Sequence, residues 1–287
     1  MTSAERRRDH QHWREAARSA ASAAAEFIAD RALTRHLLTW EEKSASDFVS
    51  VVDVGAEERI AAILVERIPE LRIVGEELGP AGDTGTGLVA IVDPLDGTTN
   101  FLHGYPSYGV SICIAVDGAP QVGVVHDVAR GGVYHATAGS GAFLDDTPIH
   151  VSALQTPARA LIGTGFPFKT VDEADQYVTQ LRRLMPLVAG MRRAGAAALD
   201  LCDVARGRLD AFWELRLAPW DMAAGVLLVR EAGGRATRLD GTDAPLRHGP
   251  VIASNSVLHD WLLDQLTINE RSATDHRTDV VASADTI

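Results

Sequence analysis

The hydrophobic and polar positions of the chain follow helical periods first and strand periods later, which predicts a mixed α/β fold. An alanine-rich amphipathic segment, "AARSAASAAAEFIADRAL", opens the pattern, and a second helical period runs through "VGAEERIAAILVERIPEL" until Pro69 and Glu70 end it. The stretch between them, "TWEEKSASDFVSVVD", is polar and predicts irregular backbone. "LVAIVD" is an almost unbroken apolar run, which is typical of a central strand buried on both faces.

Downstream of this strand the pattern becomes rich in strands and then changes character. Apolar runs separated by Asp-Gly, Gly-Gly and Asp-Asp turns predict an antiparallel meander over about 108–151. The second half predicts strands at "ALIGTGF", "LDAFWEL" and "PVIASN", and helices over about 173–188, at "MAAGVLLVREAGG" and at "SVLHDWLLDQL". We therefore expect one domain over 11–268, built from two apposed halves (about 11–150 and 151–268), and a disordered polar tail over 269–287.

Composition narrows the classes of function. The net charge of −12 argues against a nucleic-acid-binding surface, because polyanions are gathered by basic patches. Cys113 and Cys202 lie in apolar surroundings and are interpreted as buried thiols. No apolar stretch approaches the roughly 20 residues that span a bilayer, and the N-terminal region lacks the apolar core of a signal peptide. We expect a cytoplasmic protein with no membrane partner.

Acidic residues cluster at the ends of two predicted strands, where α/β enzymes place their chemistry. One strand end carries Glu76 and Glu77, and the other carries Asp93 and Asp96. Pro94 cannot donate to a sheet ladder, so we expect strand pairing to stop after Asp93 and the chain to turn. Such a turn would aim both aspartates and the Leu95 carbonyl at one point, an oxygen set suited to Mg²⁺. Alone, "DGTTN" is also an ordinary turn sequence.

The residues after Asp96 predict an anion site. Gly97 and Thr98 would begin a helix whose unpaired backbone N–H groups face an anion, and the Thr98 hydroxyl would hold a water molecule. Metal ions and amides would then share one phosphate. Far downstream, Asp221 precedes the predicted helix that ends at "REAGG". Taken alone, this aspartate is more typical of a helix cap than of a metal ligand.

Three rival motifs do not fit the sequence. The haloacid-dehalogenase phosphatases use D-x-D-x-T, whereas this chain has D-x-x-D-G-T, which moves the second carboxylate. The alternating ligands of an EF-hand are absent. The glycine-rich "AGDTGTG" precedes a strand instead of following one, which disfavours a dinucleotide-binding fingerprint.

The motifs "GEE", "DPLDGTTNF" and "WDMAAG…REAGG", in this order and spacing, resemble the inositol monophosphatase family. The resemblance extends from about Glu26 to Leu266 and includes "EEKSASDFVSVVD", "GTGFPF", "GMRRAGAAALDLC" and "GRLDAFWEL". It implies a five-layered α-β-α-β-α sandwich, a homodimer, and a Mg²⁺-dependent phosphomonoesterase that converts myo-inositol 1-phosphate and water to myo-inositol and phosphate. It also implies two, possibly three, Mg²⁺ ions per site and inhibition by Li⁺.

The resemblance also assigns metal and catalytic roles. Glu76, Asp93 and the Leu95 carbonyl would bind the first ion, and Asp93, Asp96 and Asp221 the second. Asp53 would help to hold a third ion through water. Thr98 and Glu76 would orient the attacking water, and Lys43 would lie near the metals on a mobile loop.

A further set of residues is assigned by the resemblance to the substrate. These are Asp96, Gly97, Thr98, Gly195, Ala196, Ala197, Glu214 and Asp221. The Gly97 and Thr98 amides would bind phosphate oxygens, and Glu214 would bond the hydroxyls of the polyol. Many family members have Thr or Ser where this chain has Ala196, so the polyol preference stays open. Three roles are open for Arg192 and Arg193: neutralising the charge of the substrate, forming a subunit contact, or serving as ordinary surface residues.

Alternatives remain within and beyond this activity. Fructose-1,6-bisphosphatase, histidinol-phosphate phosphatase and 3′-phosphonucleotide phosphatase are the nearest enzymes, and "DGTTNF" with "GTGFPF…RRAGAAALD" favours inositol monophosphatase over them. A non-enzymatic role is the other class, since some bacterial relatives act in RNA-polymerase or ribosome-assembly complexes. The sequence has no basic stripe that supports contact with nucleic acid.

Overall fold

The computed structural model describes residues 3–37, 40–44, 47–78, 84–168, 171–244 and 246–267. The α-helices of these ranges are α1 (Ser3–Ala32), α2 (Val51–Arg67), α3 (Thr98–His103), α4 (Ala174–Leu184), α5 (Ala197–Ala205), α6 (Pro219–Glu231) and α7 (His259–Thr267). None of these described helices is both long enough and apolar enough to cross a membrane. The tail expected over 269–287 lies outside the described residues.

The strands form a hairpin and two larger sheets. The strands are β1 (Trp40–Ser44), β2 (Asp47–Ser50), β3 (Arg72–Gly75), β4 (Leu88–Asp96), β5 (Gly109–Val116), β6 (Ala119–Asp127), β7 (Val133–Thr137), β8 (Ala142–Leu144), β9 (Thr147–Ile149), β10 (Leu161–Thr164), β11 (Gly190–Arg192), β12 (Ala211–Leu217), β13 (Gly234–Thr237) and β14 (Gly249–Asn255). A seven-stranded sheet has the order β3-β4-β5-β6-β7-β8-β9, and a five-stranded sheet has the order β11-β10-β12-β14-β13. The run from β4 to β9 is antiparallel throughout, as the predicted meander requires.

Helices and sheets alternate in five layers. One face of the seven-stranded sheet buries α1 and α2, and its other face shares a core with α5, α6 and the five-stranded sheet. The outer face of the five-stranded sheet packs on α4 and α7. The α-β-α-β-α sandwich expected from the resemblance is therefore confirmed. Its central helix layer lies between the two large sheets, and residues of both sheets and of this layer line one cavity.

The alanine-rich first helix lies directly against the sheet because its buried side chains are small. Ala16, Ala17, Ala20, Ala21 and Ala24 are fully buried between α1, α2 and the strands. Their spacing follows the inward face of a helix. The expected irregular segment after this helix is wrong in part, because β1 and β2 pair as an antiparallel hairpin. The sequence of this hairpin lacks a regular alternation of apolar and polar residues, so the hydrophobic pattern does not predict its strands.

Strand β4 does not stop at Asp93, and the predicted break there is wrong. Asp93 pairs with Ser111, and pairing resumes where Asp96 faces Gly109 after a shift in register. Three residue steps on β4 therefore match two on β5, which is a β-bulge. A bulge tolerates Pro94 because it leaves the proline nitrogen without a ladder partner. It also bends the strand at the point where its carboxylates are exposed to the site.

His259 at the start of α7 is a buried polar anchor. Its ring nitrogens lie 2.9 Å from Thr237 Oγ1 and 2.8 Å from Ser254 Oγ. Burial, followed by the nearby positive charge of Arg235, lowers the pKa of His259 to about 4. The folded state therefore binds its proton less well than the unfolded state does, and stability falls as pH decreases from 6.5 towards 4.

We expect the free energy of unfolding to be lower at pH 5 than at pH 7 by about 2 kcal/mol because of this histidine. Urea unfolding at both pH values should show this loss in the unmodified protein and a clearly smaller loss in His259→Gln. His150 is exposed, and the matched variant His150→Gln should retain the full pH dependence. An unchanged pH dependence in His259→Gln would contradict the assignment.

Candidate active site

A cavity of about 640 Å³ opens where the two large sheets and the central helices meet. Among its lining residues are Glu76, Asp93, Leu95, Asp96, Gly97, Thr98, Gly195, Ala196, Ala197, Glu214 and Asp221. The structure thus brings together most of the site residues predicted from the sequence. Asp53 lies behind this lining, bonded to Thr98. The side chain of Lys43 lies outside the described part of the structure.

Glu76 is positioned by a buried glutamate that the sequence analysis missed. Glu57 of α2 accepts hydrogen bonds from the backbone N–H groups of Glu77, at 2.8 Å, and Leu78, at 2.9 Å. A side chain at Gly75 would collide with the Glu57 carboxylate. Glycine at this position therefore allows α2 to fix the strand end that carries Glu76. Glu57 occupies an inward helical position, and an acidic residue there is the only sequence signal for this role.

The β-bulge and the turn after it shape the centre of the site. Asp93 is almost fully buried, and its Oδ1 accepts the backbone N–H of Leu95 at 3.0 Å. The Thr98 hydroxyl lies 3.0 Å from the Leu95 carbonyl oxygen and 2.8 Å from Asp53 Oδ1. Since a hydroxyl has one proton, Thr98 donates to only one of these acceptors at a time.

Asp53 is held from the opposite side by the first turn of α2. Its Oδ2 accepts the backbone N–H of Ser50 at 2.8 Å and the Ser50 hydroxyl at 2.7 Å. The other oxygen, Oδ1, is thereby left for Thr98. Burial raises the pKa of Asp53, and its hydrogen bonds with Ser50 and Thr98 oppose that rise. The capping arrangement fixes the rotamer of a carboxylate that accepts a hydrogen bond from Thr98.

Helix α3 begins at Thr98 as predicted, and Gly97 is its N-cap residue with φ of +88°. A side chain at Gly97 would also meet the Ser107 carbonyl oxygen. Asn100 then connects this helix to the backbone that precedes α5, because its Nδ2 lies 2.7 Å from Ser107 O and 2.8 Å from Ala194 O. The sequence analysis quoted Asn100 in its motif but gave it no role.

Asp96 and Asp221 each bind backbone at the start of a helix and also face the cavity. Asp96 Oδ2 accepts the N–H of Ala198 at 2.8 Å, in the first turn of α5. Asp221 Oδ2 accepts the N–H of Ala218 at 2.6 Å, just before α6. Asp221 therefore does accept a backbone N–H at the start of the helix, as a cap would, although it lies in the first turn of α6 and not at the N-cap position. Capping leaves the remaining carboxylate oxygens facing the cavity that both residues line.

Burial and mutual repulsion favour the neutral forms of two of the clustered carboxylates, Asp93 and Asp96. Burial, followed by the negative charges of Glu76, Asp96 and Asp221, raises the pKa of Asp93 well above its usual value. Burial and then Asp221 raise the pKa of Asp96 to about 7, although backbone N–H groups of α5 oppose the shift. Nearby positive charge is what relieves such repulsion.

The donor set has the chemistry of a magnesium site. Carboxylate and carbonyl oxygens are the ligands that hard divalent cations prefer. In their present side-chain positions, the described residues contain no group of three or more acidic, histidine or cysteine side chains close enough together to hold a metal ion. Six carboxylates nevertheless line the same cavity, and they include the four that are predicted as metal ligands. Three of these four, Glu76, Asp96 and Asp221, repel the charge of Asp93. The residues therefore fit a divalent cation in type and charge, and binding would require their side chains to converge.

The other end of the cavity is suited to a polar organic group. Glu214 of β12 lies against the backbone of Gly165, where any side chain would collide with its carboxylate. Burial, and then Asp221, raises the pKa of Glu214 well above its usual range. Ala196 is buried, while Phe166 and Phe168 are exposed at the opening. This end combines one partly buried carboxyl group with small and aromatic side chains.

Comparison with known proteins identifies relatives along most of the chain. Residues 9–273 match the model of the inositol monophosphatase family. A protein named "Inositol-1-monophosphatase" from Rhizobium meliloti is 44% identical over 74% of this chain and 80% of its own length. One named "Nus factor SuhB" from Pseudomonas aeruginosa is 43% identical over 83% of this chain and 89% of its own length.

A solved structure gives the same result for the fold. The inositol monophosphatase from Anabaena superposes with a TM-score of 0.81 at 34% identity, and the match covers 92% of this chain and 98% of that one. The chain belongs to the inositol monophosphatase family.

Proposed function

We propose that this protein is a Mg²⁺-dependent phosphomonoesterase that hydrolyses myo-inositol 1-phosphate to myo-inositol and phosphate. The observation that carries the proposal is the meeting of four carboxylates from three separate chain segments in one cavity. The Thr98 and Asp53 pair lies beside them, and Glu214 lies at the polar end of the same cavity. Family membership supports phosphatase chemistry on small phosphate esters.

Two or three Mg²⁺ ions would be held by the predicted ligands. These are Glu76, Asp93, the Leu95 carbonyl, Asp96 and Asp221, with Asp53 nearby. Bound Mg²⁺ supplies Lewis acidity and a more acidic water molecule. Li⁺ inhibition remains a prediction from the family resemblance.

The residues of the chain would perform the remaining tasks. Thr98 shares its hydroxyl between Asp53 and the Leu95 carbonyl, so it is restrained as it orients the attacking water with Glu76. The backbone N–H groups at Gly97 and Thr98 would bind phosphate oxygens. Segment 195–197 lines the cavity next to Glu214 and would receive the polyol.

Glu214→Ala should lower kcat/KM for inositol 1-phosphate by about tenfold or more, with less than about threefold effect on p-nitrophenyl phosphate. The reason is that Glu214 would accept hydrogen bonds from ring hydroxyls, which the nitrophenyl ester lacks. Steady-state kinetics of both esters measure this selectivity. Glu70 is exposed, and Glu70→Ala is the matched control that should change neither value. Equal small losses of kcat/KM on the two esters would contradict the assignment of Glu214 to the substrate site.

A panel of phosphate esters tests the proposed activity directly. With Mg²⁺ present, inositol 1-phosphate should be the best substrate and sugar phosphates slower, and a chelator should abolish turnover. Faster hydrolysis of fructose 1,6-bisphosphate or histidinol phosphate would overturn the substrate assignment while leaving the metal chemistry intact. Absence of hydrolysis of every ester would overturn the phosphatase proposal.

A partner-binding role is the second candidate, and the name "Nus factor SuhB" of one relative is the observation that favours it. The acidic net charge of −12 argues that any such role uses protein contacts instead of contacts with nucleic acid. Capture of RNA polymerase from lysate by a catalytically inactive variant would support this role. We also propose a homodimer, which sedimentation analysis would test.

A further inference from the structure

Arg193 lies at the polar end of the cavity, and none of the roles above uses it. Its guanidinium carbon lies 5.6 Å from the ring centre of Phe166 and 5.2 Å from that of Phe168. The two rings are themselves in edge contact, with centres 5.6 Å apart. An arginine next to two aromatic rings is restrained in orientation while its N–H groups remain available.

The contact with Gly195 shows where the Arg193 guanidinium lies. Gly195 has φ of +86°, and a side chain there would collide with Arg193 Nη1. The guanidinium therefore lies over the glycine that begins segment 195–197. Both residues line the same cavity as Glu214.

Arg193 has no protein acceptor of its own among the described residues. Its contacts there are the two rings and longer-range attraction to carboxylates, which include Glu214 and Asp200. Arg130, by comparison, forms an ion pair at 2.6 Å with Asp127. A restrained guanidinium with free donors, lining the same cavity as the partly buried Glu214, is an arrangement suited to neighbouring hydroxyl groups.

We propose that Arg193, held by Phe166 and Phe168, is a specificity-determining residue that donates hydrogen bonds to the hydroxyls of the substrate ring opposite Glu214. This inference rests on the proposed function and deepens it by naming the donor side of the polyol site. The aromatic rings provide apolar surface for the C–H face of the ring. The ligand class is a phosphate ester of a vicinal diol.

Binding of two non-hydrolysable ligands tests this role independently of turnover. The methylenephosphonate analogue of inositol 1-phosphate carries the ring, and methylphosphonate carries only the anion. With Mg²⁺ present, calorimetry should show that Arg193→Met weakens binding of the inositol analogue by about tenfold and leaves methylphosphonate unchanged. Arg193→Lys should give an intermediate loss, because it keeps the charge but not the planar fork.

The adjacent arginine provides the control. Arg192 lines the neighbouring smaller cavity, where its Nη1 donates to the Met191 carbonyl oxygen at 2.9 Å. Arg192→Met should therefore bind both phosphonates as the unmodified protein does. Equal loss of both ligands in Arg193→Met, no loss of either, or an unmodified protein that does not prefer the inositol analogue would each overturn the proposal. A preference that depends on Arg193 in a protein that hydrolyses no ester would uphold this inference and refute the phosphatase function.

Discussion

Replacing Asp93 with Asn should reduce turnover on the order of 10³-fold or more, because Asp93 is proposed to bind Mg²⁺ and loss of its charge would weaken the metal contribution to the transition state by several kcal/mol. Asp93 is nearly inaccessible to solvent, and Glu76, Asp96 and Asp221 surround it. Asparagine keeps the oxygen that accepts the Leu95 N–H. The fold should therefore survive while affinity for Mg²⁺ falls.

Stability measurements separate this outcome from simple unfolding. In chelator, Asp93→Asn should be at least as stable as the unmodified protein, because asparagine is neutral at this buried position, whereas Asp93 must either bind a proton or keep a charge beside other carboxylates. Addition of Mg²⁺ should raise the Tm of the unmodified protein and have little effect on the variant. Full activity in a folded Asp93→Asn protein would refute the proposed metal site.

The second large effect concerns adjacent residues with different chemical roles. Asp96→Asn should lower kcat by about 10²-fold or more, since it removes a ligand charge. Leu95→Ile should retain most activity, because only the Leu95 carbonyl is proposed to act and the buried side chain changes little in volume. Turnover at saturating Mg²⁺ and circular dichroism should be measured on both variants.

The pair of variants also contains its own structural control. Asp96 accepts the N–H of Ala198 at 2.8 Å, and asparagine can accept the same bond in the flipped orientation that directs its oxygen there. Loss of α5 packing would appear as a lower Tm in chelator, whereas loss of a metal ligand would appear only with Mg²⁺. Equal loss of activity in two folded variants would refute the division between backbone and side-chain ligands.

Sequence reasoning predicts this molecule well where one residue type has one dominant role. The apolar run of β4 and the alanine face of α1 indicate burial directly, and both are found. The compound motifs predict that Asp93, Asp96 and Asp221 lie near one another, and all three line one cavity. Their roles as ligands stay predictions, because proximity does not establish coordination.

Sequence reasoning fails where backbone hydrogen bonds decide the structure. Pro94 predicts a break in β4. The strand instead continues to Asp96, because a bulge places the proline nitrogen where no ladder hydrogen bond is needed. The hairpin β1 and β2 has no apolar alternation to reveal it. Glu57 and Asn100 bind backbone groups that are distant in sequence, and neither the turn chemistry nor the periodicity of the chain identifies those partners.

The partners of Asn100 and Asp96 have a consequence for biosynthesis. Asn100 binds the Ala194 carbonyl, and Asp96 binds the Ala198 N–H, which are separated from them by 94 and 102 residues. A ribosome therefore releases the acidic motif long before it makes the backbone that satisfies it. A nascent chain interrupted before residue 194 leaves Asp96 without the Ala198 N–H and leaves Asn100 with only the Ser107 carbonyl, which disfavours burying the Asp96 carboxylate. Such a fragment also lacks Asp221, so only chains extended beyond that residue can assemble the complete set of site carboxylates.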